Sequence, residues 1–296
     1  MRHSAGLIDT FCQHIPRIGV SSVKLSFPRI LGVLLTMAIF AAGSARAEDQ
    51  STSAAPKNPL DAFETNVYAA SDGKSLNFRQ LNPIKVEEGK KYPLVIFLHG
   101  AGERGDDNQV QLKHGMDKFA SPAVREKYPC YVIAPQCPAG EQWVNVPWSA
   151  DKHKNPEKPS GAMGRVFEVV DAYVKNLPVD ADRIYITGLS MGGYGTWDAI
   201  ARRPNFFAAA IPICGGGDSS DVSAYKSLPI WAFHGDKDTA VKVERTRDMI
   251  AALKKAGGDP KYTEYPGVGH NSWTETYNND DVIAWLFAQK REAKKQ

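Results

Sequence analysis

The stretch "ITGLSMGGYG", residues 186–195, sets one serine and four glycines between an apolar run and a helix-like segment. Within it, Gly188-Leu189-Ser190-Met191-Gly192 fits the pattern G-x-S-x-G. A serine carried on a sharp strand-to-helix turn takes a strained backbone that points its oxygen outward. Glycines two residues before and after it relieve the clashes where the chain folds back. The same letters also suit a glycine-rich helix entry with a structural serine, so the surrounding sequence has to decide.

Outward from the turn, apolar strand-like runs alternate with amphipathic stretches. "YPLVIFLHG", "CYVIAPQ", "RIYITGLS", "FFAAAIPIC" and "LPIWAFHG" are continuous apolar segments, the pattern of strands buried on both faces. "MGRVFEVVDAYVKNL", "GTWDAIARR", "VERTRDMIAALKKAG" and "DDVIAWLFAQKR" read as helices between and after them. "NVYAASDGKSLNFRQL" has the strand, Asp-Gly turn and strand of a hairpin. The alternation predicts an α/β fold, a doubly wound, mainly parallel sheet flanked by helices, with functional loops at the carboxyl ends of the strands. Gly193 and Gly195 then serve close packing of the helix behind the turn.

A serine hydroxyl needs a base, and the base needs an acid to fix its tautomer and stabilise the imidazolium. In such a sheet the chain order is serine, acid, histidine. Only His234 and His270 follow Ser190, and His234 precedes the acids at the end of its strand, which leaves His270 in "GVGHNSW" as the base. Asp236 and Asp238 in "HGDKDTAV" both qualify as the acid. Asp238 is favoured because it has more room to reach a histidine, leaving Asp236 as a loop cap or surface charge. Two donors for an oxyanion are expected from the backbone N–H groups of Met191 and of Ala101 in "LHGAGERGDDN". In that loop Arg104 is expected to pair with Asp106 or Asp107, and His99 to make structural hydrogen bonds. Gly100 to Gly105 also fits G-x-G-x-x-G, but the loop runs on through charged "ERGDDN" and the next strand ends in "APQCP", against a dinucleotide site.

Residues 136–161 form one long connection whose Trp143 and Trp148 argue for order. With Trp273 beside His270, these tryptophans could wall a sugar or aryl acyl group, or simply fill the core. There is no long apolar lid segment, which points to short or aromatic acyl groups.

The first 47 residues read as a secretory signal peptide. Arg2, Arg17, Lys24 and Arg29 precede the apolar run "ILGVLLTMAIFAAG", and Ala45-Arg46-Ala47 gives a small-x-small cleavage site. Residues 48–62 are a polar lead-in expected to be flexible, and 63–296 the catalytic domain. The formal net charge of +3 comes from the leader, so the mature chain is near neutral, with no electrostatic case for nucleic acid or an anionic membrane. The expected location is secreted or periplasmic, without stable membrane insertion. Cys130, Cys137 and Cys214 follow the leader; "CYVIAPQC" is too extended to bridge its own ends, so Cys137 with Cys214 is the more plausible disulfide. No Cys/His cluster has metal-ligand spacing.

Taken together, "LHGAGERGDDN", "APQCP", "GLSMGGYGTW", "PICGGGD", "FHGDKDTAV" and "EYPGVGHNSW" resemble the α/β-hydrolase superfamily over roughly residues 63–291. More closely, they are similar to its bacterial secreted esterase branch, the dienelactone-hydrolase and phospholipase/carboxylesterase relatives often labelled predicted peptidases. The resemblance implies a Ser190, Asp238 and His270 triad and an Ala101/Met191 oxyanion hole. It also implies action without a cofactor on carboxylic esters, including aryl and acetyl esters of plant polysaccharides. A serine peptidase using the same triad is the alternative, disfavoured because the chain has no room for the large extra domain typical of such peptidases. A non-catalytic binding domain is disfavoured by the ordered presence of all three residues.

Overall fold

Residue runs that are apolar at every position become strands covered on both faces. β3 (Tyr92–Leu98) and β4 (Tyr131–Pro135) are buried at each residue, as is β6 (Ala209–Ile213). The computed structural model describes residues 58–291. The predicted hairpin is present as β1 (Glu64–Ala69) paired antiparallel with β2 (Ser75–Leu81), and Gly73 takes φ +80° in its turn. With β5 (Val179–Leu189), β7 (Trp231–Gly235) and β8 (Lys261–Tyr265) they form one eight-stranded sheet, ordered β1-β2-β4-β3-β5-β6-β7-β8. All pairings beyond β1-β2 and β2-β4 are parallel.

Alternation along the strands divides the core into two layers. Leu94, Ile96 and Leu98 face α3 (Gly161–Asn176), α4 (Met191–Arg202) and α5 (Glu244–Lys255) through Val166, Trp197 and Met249. Val95 and Phe97 point to the other layer, with α1 (Met116–Ala120), α2 (Pro122–Lys127), α6 (Trp273–Asn278) and α7 (Asp280–Ala288). This is the predicted doubly wound α/β architecture as a single domain. β5 lies inside the sheet, with Leu98 of β3 beside Gly188 and Ile213 of β6 beside Leu189, so the chain leaving β3 and the turn after β5 emerge next to each other.

The structure corrects the sequence reading at two points and extends it at two others. Cys137 and Cys214 form no disulfide; both are buried free thiols, and they sit in opposite layers of the core. β8, "KYTEY", has no apolar run to betray it, being an edge strand that is nowhere fully buried. At the end of the lead-in, Asn58 caps a 3₁₀ turn at Pro59–Ala62, while the leader-like residues 1–47 and residues 48–57 lie outside the described residues. Arg104 does not pair with Asp106 or Asp107: its Nε donates to the Ala101 carbonyl at 2.9 Å, and Asp107 instead accepts from the backbone N–H groups of Gln109 and Val110. The long 136–160 connection is ordered by fastenings to its surroundings. Arg202 of α4 donates to the carbonyls of Pro156, Glu157 and Lys158, Arg245 of α5 to that of Asp151, and Asp218 accepts from the Asn155 N–H.

Candidate active site

Ser190 occupies φ +54°, ψ −116° between β5 and α4, a region that costs a non-glycine residue about 1–3 kcal/mol unless its surroundings enforce it. They do: its N–H donates to the Ile213 carbonyl at 2.9 Å, and its carbonyl accepts from Tyr194 N–H at 3.0 Å. The neighbouring glycines are required by contact. A Cβ on Gly188 would lie 2.4 Å from the Gly192 carbonyl oxygen, and one on Gly192 only 1.8 Å from that of Leu98. Behind the turn, Gly193 presses on the Ile213 carbonyl and Gly195 on the Trp143 Cβ, at 2.3 and 2.7 Å from where a Cβ would stand.

The turn delivers Ser190 to two side chains from distant loops. Its Oγ lies 2.9 Å from His270 Nε2, and His270 Nδ1 lies 2.7 Å from Asp238 Oδ2. A carboxylate can only accept, so Nδ1 bears the proton and the Nε2 lone pair faces the serine hydroxyl. Asp238 Oδ1 accepts from the N–H groups of Ala240 and Val241 at 2.8 and 2.9 Å, and its side chain is wholly inaccessible. Burial opposes its ionisation, yet the imidazole N–H bonds of His234 and His270 and the Val241 N–H outweigh that and hold the carboxyl well below the usual carboxylate range. Asp236 caps the neighbouring loop instead, accepting from Gly267 N–H at 2.7 Å.

His234 is the residue that sequence reasoning set aside too completely. It is no base for Ser190, but its Nε2 lies 3.1 Å from the same Asp238 oxygen. The available signal was the His-x-x-x-Asp spacing across the end of β7, which lets a strand residue meet the carboxylate of the following loop.

The loop after β3 lies against Ser190, since a Cβ on Gly100 would stand 3.7 Å from that of Ser190. Ala101 opens a three-residue 3₁₀ turn, and Met191 is the first residue of α4, where an N–H has no helical carbonyl to reach. No long helix opens after Gly100, contrary to what a dinucleotide site requires. His99 is structural: its Nε2 accepts from Cys137 N–H at 2.9 Å and its Nδ1–H donates to the Gly100 carbonyl at 2.6 Å. Burial pushes its imidazole down to about 4 despite the Gly100 bond, so the ring is neutral.

The three tryptophans part company here. Trp143 is fully buried and donates Nε1–H to the His99 carbonyl at 3.0 Å, so it supports the loop from beneath and cannot touch a substrate. Trp273 stands perpendicular to His270 at a ring distance of 5.3 Å, with the His114 ring also 5.3 Å away. Trp148 is half-buried, packed with Val144, Val146, Tyr194 and Val241, and the Arg104 guanidinium lies 5.9 Å from its ring. Sequence reasoning also passed over Glu103, a buried acid between Gly100 and His114 whose carboxylate is 3.4 Å from His114 Nε2. Among the described residues, Cys214, Asp238 and His270 bring metal-ligating atoms within 4.8 Å of one another. As a donor set they are poor: His270 Nδ1 and Asp238 are committed to each other, and burial pushes the Cys214 thiol up, keeping it protonated.

Residues 81–279 match the family model described as phospholipase/carboxylesterase. A probable carboxylesterase of Oryza sativa subsp. japonica is 26% identical over 195 residues, covering 60% of this chain and 81% of its own. Carboxylesterase SOBER1 of Arabidopsis thaliana is 28% identical over 193 residues, covering 60% of this chain and 82% of its own. A solved thermostable esterase superposes with a TM-score of 0.74 at 42% identity, covering 78% of this chain, which spans 64% of that longer one. The chain belongs to the phospholipase/carboxylesterase family of the α/β-hydrolase superfamily and is a carboxylic ester hydrolase.

Proposed function

We propose that the protein cleaves esters through an acyl-enzyme on Ser190. The observation that carries this is the continuous chain from Ser190 Oγ to His270 at 2.9 Å and from His270 to Asp238 at 2.7 Å. Ser190 Oγ attacks the ester carbonyl as its proton passes to His270 Nε2, and the imidazolium is stabilised by the charge of Asp238. The backbone N–H groups of Ala101 and Met191 receive the oxyanion. His270 then returns the proton to the departing alcohol, and water, activated by the same ring, releases the acid.

The substrates proposed are esters of short or aromatic acids, including those carried on polysaccharides. Trp273 beside His270 and the half-buried Trp148 support an aromatic wall, and among the described residues the loops include no long apolar segment of the kind an interfacial lipase uses. Export to the periplasm or beyond is proposed from the leader-like residues 1–47.

The test is a panel of p-nitrophenyl esters of increasing acyl length together with a feruloyl ester and chromogenic peptides. Highest kcat/KM on acetyl or feruloyl esters, with loss of about a thousandfold or more in Ser190→Ala and in His270→Ala, is expected. Hydrolysis of peptides alone would favour the peptidase alternative, and an active Ser190→Ala would remove the nucleophile assignment.

A further inference from the structure

We propose that His234 is a positioning residue for the reaction, a second imidazole that holds Asp238 on the oxygen it offers to His270. The inference rests on the Ser190, His270 and Asp238 reading above and adds a fourth member to it.

His234 lies on β7 and is completely buried, so both ring nitrogens need partners inside the protein. Nε2 faces acceptors only, Asp238 Oδ2 at 3.1 Å and the Val241 carbonyl at 3.0 Å, and therefore carries a proton. Nδ1 is 2.8 Å from Thr246 Oγ1, and that hydroxyl is 2.9 Å from the Gly215 carbonyl. Thr246 sits in the first turn of α5, just past the 236–243 loop, and is itself buried, so the ring's far nitrogen is anchored outside the stretch that carries Asp238.

The division of labour on Asp238 gives His234 its role. Both backbone donors, Ala240 and Val241, hold Oδ1. Oδ2 is held by side chains alone, His270 Nδ1 and His234 Nε2. Rotation of the carboxylate about its Cβ–Cγ bond would carry Oδ2 away from His270. His234, bonded to the same Oδ2, resists that rotation. Its contribution matters most when His270 becomes an imidazolium, because a carboxylate already fixed in place needs no reorganisation as that charge appears.

A merely structural His234 would tie the Val241 carbonyl to β7, and the two roles separate experimentally. His234→Gln keeps an N–H near the Nε2 position, whereas His234→Met keeps the volume and loses the donor. With p-nitrophenyl acetate, His234→Met is expected to lower kcat by about tenfold to a hundredfold with KM within about twofold. His234→Gln is expected to recover kcat to within about threefold of the parent. The downfield proton resonance of the His270 Nδ1–H should shift or broaden in His234→Met and return in His234→Gln. Thr246→Val, which frees Nδ1, should give an intermediate loss of kcat, and it decides the matter if His234→Met does not fold. Equal losses in the Gln and Met variants, a folded Met variant with parental kcat and resonance, or a Thr246→Val variant with parental kcat would each overturn the proposal. Retained hydrolysis in Ser190→Ala or His270→Ala would instead overturn the underlying reading, so the two failures are distinct.

Discussion

A single methyl group tests how tightly the turn carrying Ser190 is built. Gly192→Ala would place carbon 1.8 Å from the Leu98 carbonyl oxygen, and backbone on both sides leaves nothing able to yield. Loss of soluble folded protein, or destabilisation of more than about 3 kcal/mol by urea unfolding, is expected. Gly102→Ala, with nothing within 4 Å of the new carbon, should leave the unfolding midpoint within about 0.5 kcal/mol of the parent. At this scale much of the site was legible. Ser190 announced itself through spacing, and His270 followed from the order of residues along the chain. Asp238 was separable from Asp236 only by reach. His234 was hidden because sequence order asks which histidine meets the serine, and says nothing about which one meets the acid from behind.

Among the elements, the long runs were readable and the short or polar ones were not. β3 to β7 carry enough apolar letters to declare strands, but α1 and α2, with five and six residues, are too short to show a helical period. β8 pairs with β7 alone and has no fully buried residue, so its "KYTEY" looks like loop. Tryptophan letters reveal burial but not direction, which is why Trp143, Trp148 and Trp273 could not be told apart. Their separation predicts different kinetics. Trp143→Ala should lower stability by about 3–5 kcal/mol, seen as a lower urea midpoint, with no acyl selectivity in what activity survives. Trp273→Ala should raise KM for feruloyl esters several-fold more than for acetyl esters, at a stability cost below about 2 kcal/mol. An equal change for both esters would remove Trp273 from the acyl wall.

Across the whole molecule, buried neutral histidines tie stability to acidity. His99 is held down to about 4 in the fold from an ordinary value of 6.5. Between those values the unfolded chain takes up a proton that the folded chain refuses. The contribution is therefore complete above pH 6.5, declines as pH falls towards 4, and is flat below. A gap of that size corresponds to about 3 kcal/mol. His153, also lowered to about 4 by burial and by Arg245, acts in the same direction but more weakly because it is partly exposed. Urea unfolding at pH 7.0 and 4.5 should show the decline, and His99→Gln should make it shallower whatever its own midpoint at neutral pH. A parental slope in that variant would mean other groups govern the acid side.

The fastenings of the 136–160 loop bear on how such a protein can change over generations. Arg202 and Arg245 grip it through the carbonyls of Asp151, Pro156, Glu157 and Lys158, atoms that every amino acid supplies. The loop's path is thus set in part by the helices beside it, through contacts that do not depend on which residues stand at those four positions. New side chains can be tried along its exposed stretch without first renegotiating where the loop runs, so its surface is more open to selection than its path.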